Sequence, residues 1–456
     1  MANGQSAENL APLELLANDI SGAAKIIEGY CVLEHEAHPT GDATAPAVTI
    51  PSSAPRYVRE ARQRLLSAAK AIQQIAAEPT EYLPTLAVQY QYLACVKWLA
   101  HFQVFAAIPL QGSVPYDRLA SIVTTPERQL RSILRMAITS GCFCEPVLGE
   151  VAHNAVSRKF VDQPGYLGWI KFMDEYYMPL ASNMAQTTER YGDSQKPNET
   201  ATNVAFSTPL TTFDFITRSP DLSKIFSAYM KSVAESEGTT LRHLIADFDW
   251  AKLGEALVVH VAGAPGSVSV ALAEAYPKLR FLVQDSAEQI EHSRAFLRAQ
   301  TGAIRSRIEL AVHTVFKMQP VTNASVYLLR MSLHTRPAAE VKRVLACLLP
   351  AVKANANARI LVVETVIPLP GSCGILDEAL ERYRDLVMKQ CFNTIERELP
   401  EWHAMLGSIA DAEGHLEIVN VEKSPGSALS SLEVKYQRHH TNGVLANTVN
   451  GGNGRS

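Results

Sequence analysis

Apolar residues recur along this chain in two rhythms. In the first half they fall at helical spacing. Leu10, Leu13, Leu15, Leu16 and Ile20 predict a helix over 9–29. Helical spacing resumes from Tyr57 to Ala77 and from Val88 to Ala107. Between them, HPTGDATAPAVTIPSSAP at 38–55 is Pro-, Thr- and Ala-rich and reads as a linker outside any core. VPYDRLASIV and TPERQLRSILRMAITSG each place apolar residues at i, i+3 and i+4, and the second opens on a Thr cap and an early Pro. FCEPVLGEVAHNAVS alternates around a glycine turn, as a small hairpin does. From Leu257 the rhythm changes. Short apolar runs (LVVHVA, RFLVQD, SVYLLRM, RILVVETVI) alternate with helical stretches, which predicts a mostly parallel sheet covered on both faces. LEIVNVEK and SALSSLEVKY read as a closing antiparallel pair. HTNGVLANTVNGGNGRS at 440–456 reads as disordered.

The expected organisation is a helix and linker at 1–56, a helical unit at 57–160, an aromatic-rich helical segment at 161–250, an α/β domain at 251–438 and a tail at 439–456. Two helices followed by a hairpin resemble a winged helix. Its recognition helix carries only Arg128, Arg131 and Arg135, with Glu127 among them, and the chain has a net charge of −4. Phosphate contact needs a concentrated basic face, so a nucleic-acid partner is not expected. The seven cysteines are scattered without a CxxC pair, which suggests neither a zinc site nor a disulfide framework and fits a reducing, cytoplasmic setting. The N-terminal residues do not read as a signal peptide, and no run of 18 apolar residues suggests a membrane span.

The stretch LVVHVAGAPGSVSVALAEAYPKLRFLVQD reads as strand, glycine turn, helix, and a second strand ending on Asp285. That is how a chain builds a nucleotide pocket. His334 follows another apolar strand, at the end where such sheets place their ligands, and Glu364 ends a further strand. Glu396 lies in a polar ERE segment after an apolar helix. A histidine oriented by carboxylates is a general base for a phenol or enol proton.

In order along the chain, LGEVAHNAVS, LVVHVAGAPGSVS, YPKLRFLVQD, VYLLRMSLH, RILVVETVIPLPG, RDLVMKQCFNTIERE and PGSALSSLEVKY resemble motifs of the fungal small-molecule O-methyltransferases of the caffeate type. The match runs from about Val88 to Tyr436. It implies an α/β Rossmann-like class I methyltransferase domain behind a helical, winged-helix dimerisation domain, and therefore a homodimer acting on a small molecule of secondary metabolism. It places the base at His334 and its flanking carboxylates at Glu364 and Glu396. It places S-adenosylmethionine, without any metal, against Gly263, Gly266, Asp285, Thr314, Phe316 and Arg330.

The chain departs from the family pattern at the cofactor loop. His260, Ala262, Ala264 and Pro265 stand where the family has an acid and glycines, Thr314 stands at an acid, and Arg336 replaces a tryptophan. A Cβ at 262 and 264 is expected to obstruct a left-handed backbone and close approach of a ligand, which makes the cofactor site degenerate. Arg336 either faces the substrate chamber as an electrophilic partner or pairs outward with Glu340. The pattern therefore also resembles the branch of this family that has become pericyclases. These dehydrate a polyketide- or pyridone-type alcohol to a quinone methide and then direct an Alder-ene or hetero-Diels–Alder closure. On that expectation Phe172, Tyr176, Phe206 and Met388 line the substrate pocket. The alternative is methyl transfer from S-adenosylmethionine to a phenolic or enolic polyketide.

Overall fold

The computed structural model describes residues 12–42, 45, 49–51 and 53–439. Leu10 and the tail expected at 440–456 lie outside them. Helices α1 (Pro12–Glu34) and α2 (Arg56–Ala76) form a hairpin that buries Ala23, Ile27 and Tyr30 against Val58 and Ala61. Ile50 and Ala54 are buried in the same core. The end of the Pro/Thr/Ala-rich stretch is thus packed, in contrast to the expectation of a free linker: where the chain turns back into α2, one isoleucine and one alanine side chain fit the seam. The hairpin rests on the α/β domain, so that a Cβ added at Gly426 would lie 2.8 Å from Gln63 Nε2.

Helix α3 spans Tyr82–His101, beginning before the expected Val88. Two helices follow, Tyr116–Val123 and Glu127–Thr139, with a three-stranded sheet of β1 (Val114–Pro115), β2 (Cys144–Val147) and β3 (Glu150–Ala152). Together they form the winged-helix arrangement. Thr125 does not cap its helix: the cap position is Pro126, whose carbonyl accepts from Gln129 and Leu130, and Thr125 Oγ1 is buried without a partner. The helices that follow include a five-residue π-helical turn, Met173–Tyr177, and lead to the sheet.

The main sheet comprises β4 (Leu257–Val261), β5 (Arg280–Asp285), β6 (Ile308–Val312), β7 (Val326–Arg330) and β8 (Arg359–Glu364), all parallel. β9 (Val366–Ile367) and β10 (Arg397–Glu398) form a separate parallel pair. β11 (Gly414–Glu422) and β12 (Ser430–Arg438) close the sheet, with β12 antiparallel to β8. The spatial order is β11-β12-β8-β7-β4-β5-β6. Strand order therefore reverses between β4 and β7, and the crevice at their carboxyl ends is where open α/β sheets hold ligands. The parallel strands are apolar on both faces because helices cover both: Val259, Tyr327, Leu329 and Val362 pack into one core, and Val258, Leu328 and Leu361 into the other. This is the Rossmann-like class I methyltransferase fold preceded by helical and winged-helix regions.

Candidate functional site

The chain leaves β7 through a tight turn. Met331 takes φ +49°, and its N–H donates to Val363 O at 3.0 Å. The next two N–H groups, Ser332 and Leu333, both donate to Glu364 Oε1 at 2.7 Å. The other oxygen, Oε2, accepts from His334 Nδ1 at 3.1 Å. Glu364 is 1% exposed. One buried carboxylate thus fixes the turn and orients the imidazole it delivers. Such charge-assisted bonds are the stronger kind. An acceptor-only carboxylate also selects the tautomer with its proton on Nδ1, which leaves Nε2 with the free lone pair.

The segment 394–397 holds the turn from the other side. Thr394 Oγ1 donates to His334 O at 2.8 Å, and Arg397 Nη2 donates to Arg336 O at 3.0 Å. Pairing of β10 with β9 brings this segment beside the end of β8. Glu396 is buried, and its N–H donates to Asp385 Oδ1 at 2.8 Å. Burial pushes its carboxyl up to about 7, with Glu364 adding to the rise and His334 and Arg397 opposing it. For His334, burial disfavours the cation, but the charge and hydrogen bond of Glu364, helped by Glu396, outweigh it and raise its pKa above 6.5. His334, Glu364 and Glu396 therefore form one electrostatic unit. Thr394 and Arg397 were missed in the sequence. The only signal there is that both lie within two residues of Glu396.

Arg336 is directed elsewhere. Its guanidinium pairs with Glu340 at 3.3 Å, donates through Nε to Ser332 O, and lies 5.2 Å over the Phe316 ring. Of the two orientations considered, this is the outward one, and it corrects the expectation of an electrophilic partner facing the substrate chamber. The i,i+4 spacing to Glu340 and the flat Phe316 face give the guanidinium partners at the rim.

At the cofactor loop, Ala262 adopts φ +53° and Gly266 φ +97°. Alanine thus takes the left-handed conformation that a glycine would supply at that turn, so its Cβ does not prevent the bend. Gly263 is required for another reason. The buried His260 ring packs against it, and a Cβ there would lie 2.5 Å from His260 Nδ1. Burial, with Arg330 nearby, pushes His260 down to about 3, so it is neutral and its Nδ1 bonds Ser269 Oγ at 3.2 Å. Asp285 Oδ2 accepts from Ala264 N at 3.1 Å, and its Oδ1 accepts from Ser286 N. Arg330 donates to Thr239 O at 2.5 Å, while its buried Nε has no partner. Gly263, Gly266, Asp285 and Arg330 meet around the ends of β4, β5 and β7. Thr314 and Phe316 follow β6, Thr314 exposed and Phe316 half-buried.

The expected substrate-pocket residues divide. Phe172 and Tyr176 are fully buried, and the Tyr176 hydroxyl bonds Thr202 at 2.7 Å and Thr212 at 3.2 Å. They are core of the helical segment, with no open surface for a ligand, which corrects the expectation. Phe206 and Met388 pack on this cluster half-buried.

Comparison with known proteins adds the following. The family model for an O-methyltransferase domain matches residues 192–410. The model for the N-terminal domain of the trypacidin cluster transcriptional coactivator tpcD matches residues 10–77. The O-methyltransferase VdtC of Byssochlamys spectabilis is 41% identical over 432 residues, covering 93% of this chain and 98% of its own. Among solved structures, a LepI complex with S-adenosylmethionine superposes with a TM-score of 0.70 at 17% identity, covering 92% of this chain and 100% of that one. A structure described as a pericyclic reaction enzyme gives 0.68 at 18% identity, covering 83% and 94%. At these identities the structural likeness concerns the fold.

Proposed function

Because the chain belongs to the O-methyltransferase family, we propose that it methylates an oxygen of a phenolic or enolic small molecule, of polyketide type, in secondary metabolism. The observation that carries this reading is Glu364, which fixes both N–H groups of the turn after β7 and the Nδ1 of His334. Nothing in a bare fold needs a buried carboxylate committed to a half-buried imidazole. A base that must present one nitrogen does.

The residues at the strand ends suit an adenosyl cofactor. Gly266 supplies a left-handed turn at the start of the helix Ser267–Ala275, Asp285 stands at the end of β5 for a ribose, and Arg330 Nε is a buried donor in want of an acceptor. S-adenosylmethionine, when bound, supplies an electrophilic methyl group. His334 Nε2 takes the proton of the substrate hydroxyl as that oxygen becomes nucleophilic. Glu364 holds the imidazole in place and stabilises the imidazolium that results. Glu396, with its carboxyl held near neutrality, adjusts the charge beside the ring.

A second reading, cyclisation without methyl transfer, is favoured by Ala262, Ala264 and Pro265 in the glycine loop. In that case His334 and Glu364 serve dehydration of an alcohol.

One experiment separates the two. The purified protein is incubated with phenolic polyketides, with and without S-adenosylmethionine, and the products are weighed by mass spectrometry. A methylated product that requires the cofactor and disappears in His334→Ala supports the proposal. Turnover of a polyketide alcohol to a dehydrated cyclic product, equally fast without methylation, supports the second reading and overturns the first.

A further inference from the structure

Arg384 is a half-buried cation that the fold leaves unpaired. It lies on the helix Ile375–Phe392, one turn after Glu381 and one turn before Met388, and so shares their inward face. Among the described residues no hydrogen bond or ion pair holds it; only longer-range charge interactions reach it. Nearby cations are committed. Arg382 donates to Pro368 O at 2.9 Å, Arg397 donates to Arg336 O at 3.0 Å, and Lys423 pairs with Glu381. Glu381 is the ordinary i,i+3 partner for position 384, yet it turns one oxygen to Lys423 and leaves the other enclosed without a partner. The nitrogens of Arg384 are not among the enclosed atoms that lack partners, so its guanidinium fronts open space.

The surroundings of that space are distinctive. A Cβ at Gly238 would lie 3.3 Å from Arg384 Nη2, so the glycine leaves the guanidinium its room. Burial pushes the guanidinium pKa down, and Glu381, Tyr229, Glu396 and Tyr383 act against burial. On one side the helix reaches the base. Asp385 Oδ1 accepts from Glu396 N at 2.8 Å, and the Glu396 charge acts on both His334 and Arg384. Glu396 itself, with a carboxyl near 7, makes no ion pair with Arg384 among the described residues. On the other side is an aromatic wall. Tyr229 stacks on Phe172 at 4.7 Å, its hydroxyl accepts from Tyr177 at 3.2 Å, and its own proton has no acceptor among the described residues. Met388 packs half-buried on the same cluster. A flat ring bearing a carboxylate complements all three features. It stacks on the wall, accepts from the free phenolic O–H, and meets the guanidinium in charge and in planar, two-pronged shape.

We propose that Arg384, assisted by the Tyr229 hydroxyl, determines specificity by anchoring the substrate, and that this substrate is an acidic phenol carrying a carboxylate besides the hydroxyl offered to His334. The inference rests on the reading of His334 as a base towards a phenol, and adds the charge of the molecule that the site selects.

The test is a titration of two phenols that differ by one carboxylate, 6-hydroxy-2-naphthoic acid and 2-naphthol, into the full chain at about pH 8, where the acid is ionised. The wild type is expected to bind the acid at least about tenfold more tightly, the contribution of one charged hydrogen bond. Arg384→Gln is expected to abolish that preference, and Arg384→Lys to restore part of it. An unpaired cation serves the ligand and not the fold, so Arg384→Gln is also expected to keep or raise the Tm. A wild type that binds both phenols equally, or binds neither, overturns the proposal, as does an Arg384→Gln chain that keeps the preference. A fall in Tm with both phenols weakened alike marks Arg384 as scaffold and overturns it too. S-adenosylhomocysteine, titrated separately, reports on the methyl-transfer reading. A chain that binds it and does not discriminate between the phenols loses the acidic substrate and keeps the methyl donor.

Discussion

Two turns face each other across the switch point of the sheet, and they are built differently. After β7, a non-glycine residue in the left-handed region, Met331, leads into a loop held by charge. Glu364 accepts two N–H groups and the His334 ring. After β4, another non-glycine residue in the left-handed region, Ala262, leads into a loop held by shape. There the neutral His260 ring lies flush against Gly263, and Asp285 supplies one bond to Ala264. On the proposed reading, the first turn presents a proton acceptor and has to keep its orientation as charge develops. The second only has to leave room for a ligand, and tolerates substitutions that change its chemistry as long as its volume is kept.

The contrast can be broken at the charged turn first. His334→Ala is expected to lower kcat by about 10²- to 10⁴-fold, the usual contribution of a general base. Cofactor affinity measured by calorimetry is expected to stay unchanged, because His334 belongs to the turn after β7 and not to the glycine loop. Glu364→Ala leaves the buried Leu333 N–H without an acceptor, at about 1–3 kcal/mol, and the part-buried Ser332 N–H at a smaller cost. The loss should be visible in urea unfolding, together with a collapse of kcat.

The shape-held turn should respond to volume. Gly263→Ala forces a Cβ onto the His260 ring and is expected to cost about 1–3 kcal/mol, as overpacking does. His260→Ala in the same chain should recover part of that loss, and a double-mutant cycle measures the coupling.

The pH dependence sharpens the difference. As the proposed base, His334 works only when neutral, so kcat should rise as pH passes upward through a pKa above 6.5, and Glu364→Gln should move that limb down. Glu396 titrates near 7 in the fold against 4.5 in its ordinary state. The folded chain holds that proton more tightly than the unfolded one, so this group contributes less to stability as pH rises from 4.5 to about 7. Glu396→Gln removes the dependence, and its Tm relative to wild type should climb across that interval. The smallest effect is expected at Ala262→Gly. Relief of the left-handed alanine, about 1 kcal/mol, is partly offset by the entropy of glycine, about 0.5–1 kcal/mol, so the change in Tm should be slight.

The charged turn was legible in the sequence because a histidine and a carboxylate end neighbouring apolar strands, and the family resemblance, more than the residues alone, singled them out. Most of the sheet was legible too: LVVHVA, RFLVQD and SVYLLRM each became one strand, whereas RILVVETVI divided into β8 and the separate β9, and β6 (Ile308–Val312) was not recognised. What could not be read depends on which way a side chain turns or on contacts distant in the chain. Arg336 found Glu340 and Phe316 at the rim, an outcome that i,i+4 spacing permitted without deciding. Phe172 and Tyr176 went into a core because Thr202 and Thr212 met the Tyr176 hydroxyl.

The placement of β12 has a consequence for how the protein is made. This strand lies between β11 and β8, and its Ser430 pairs with Glu364 itself. While the chain is being synthesised, β8 keeps a bare hydrogen-bonding edge until residues 430–438 have left the ribosome, and such edges invite pairing with other chains. The carboxylate on which the turn after β7 depends is therefore locked into its sheet late in synthesis, and a ribosome stalled before that point holds a chain with an open, sticky flank.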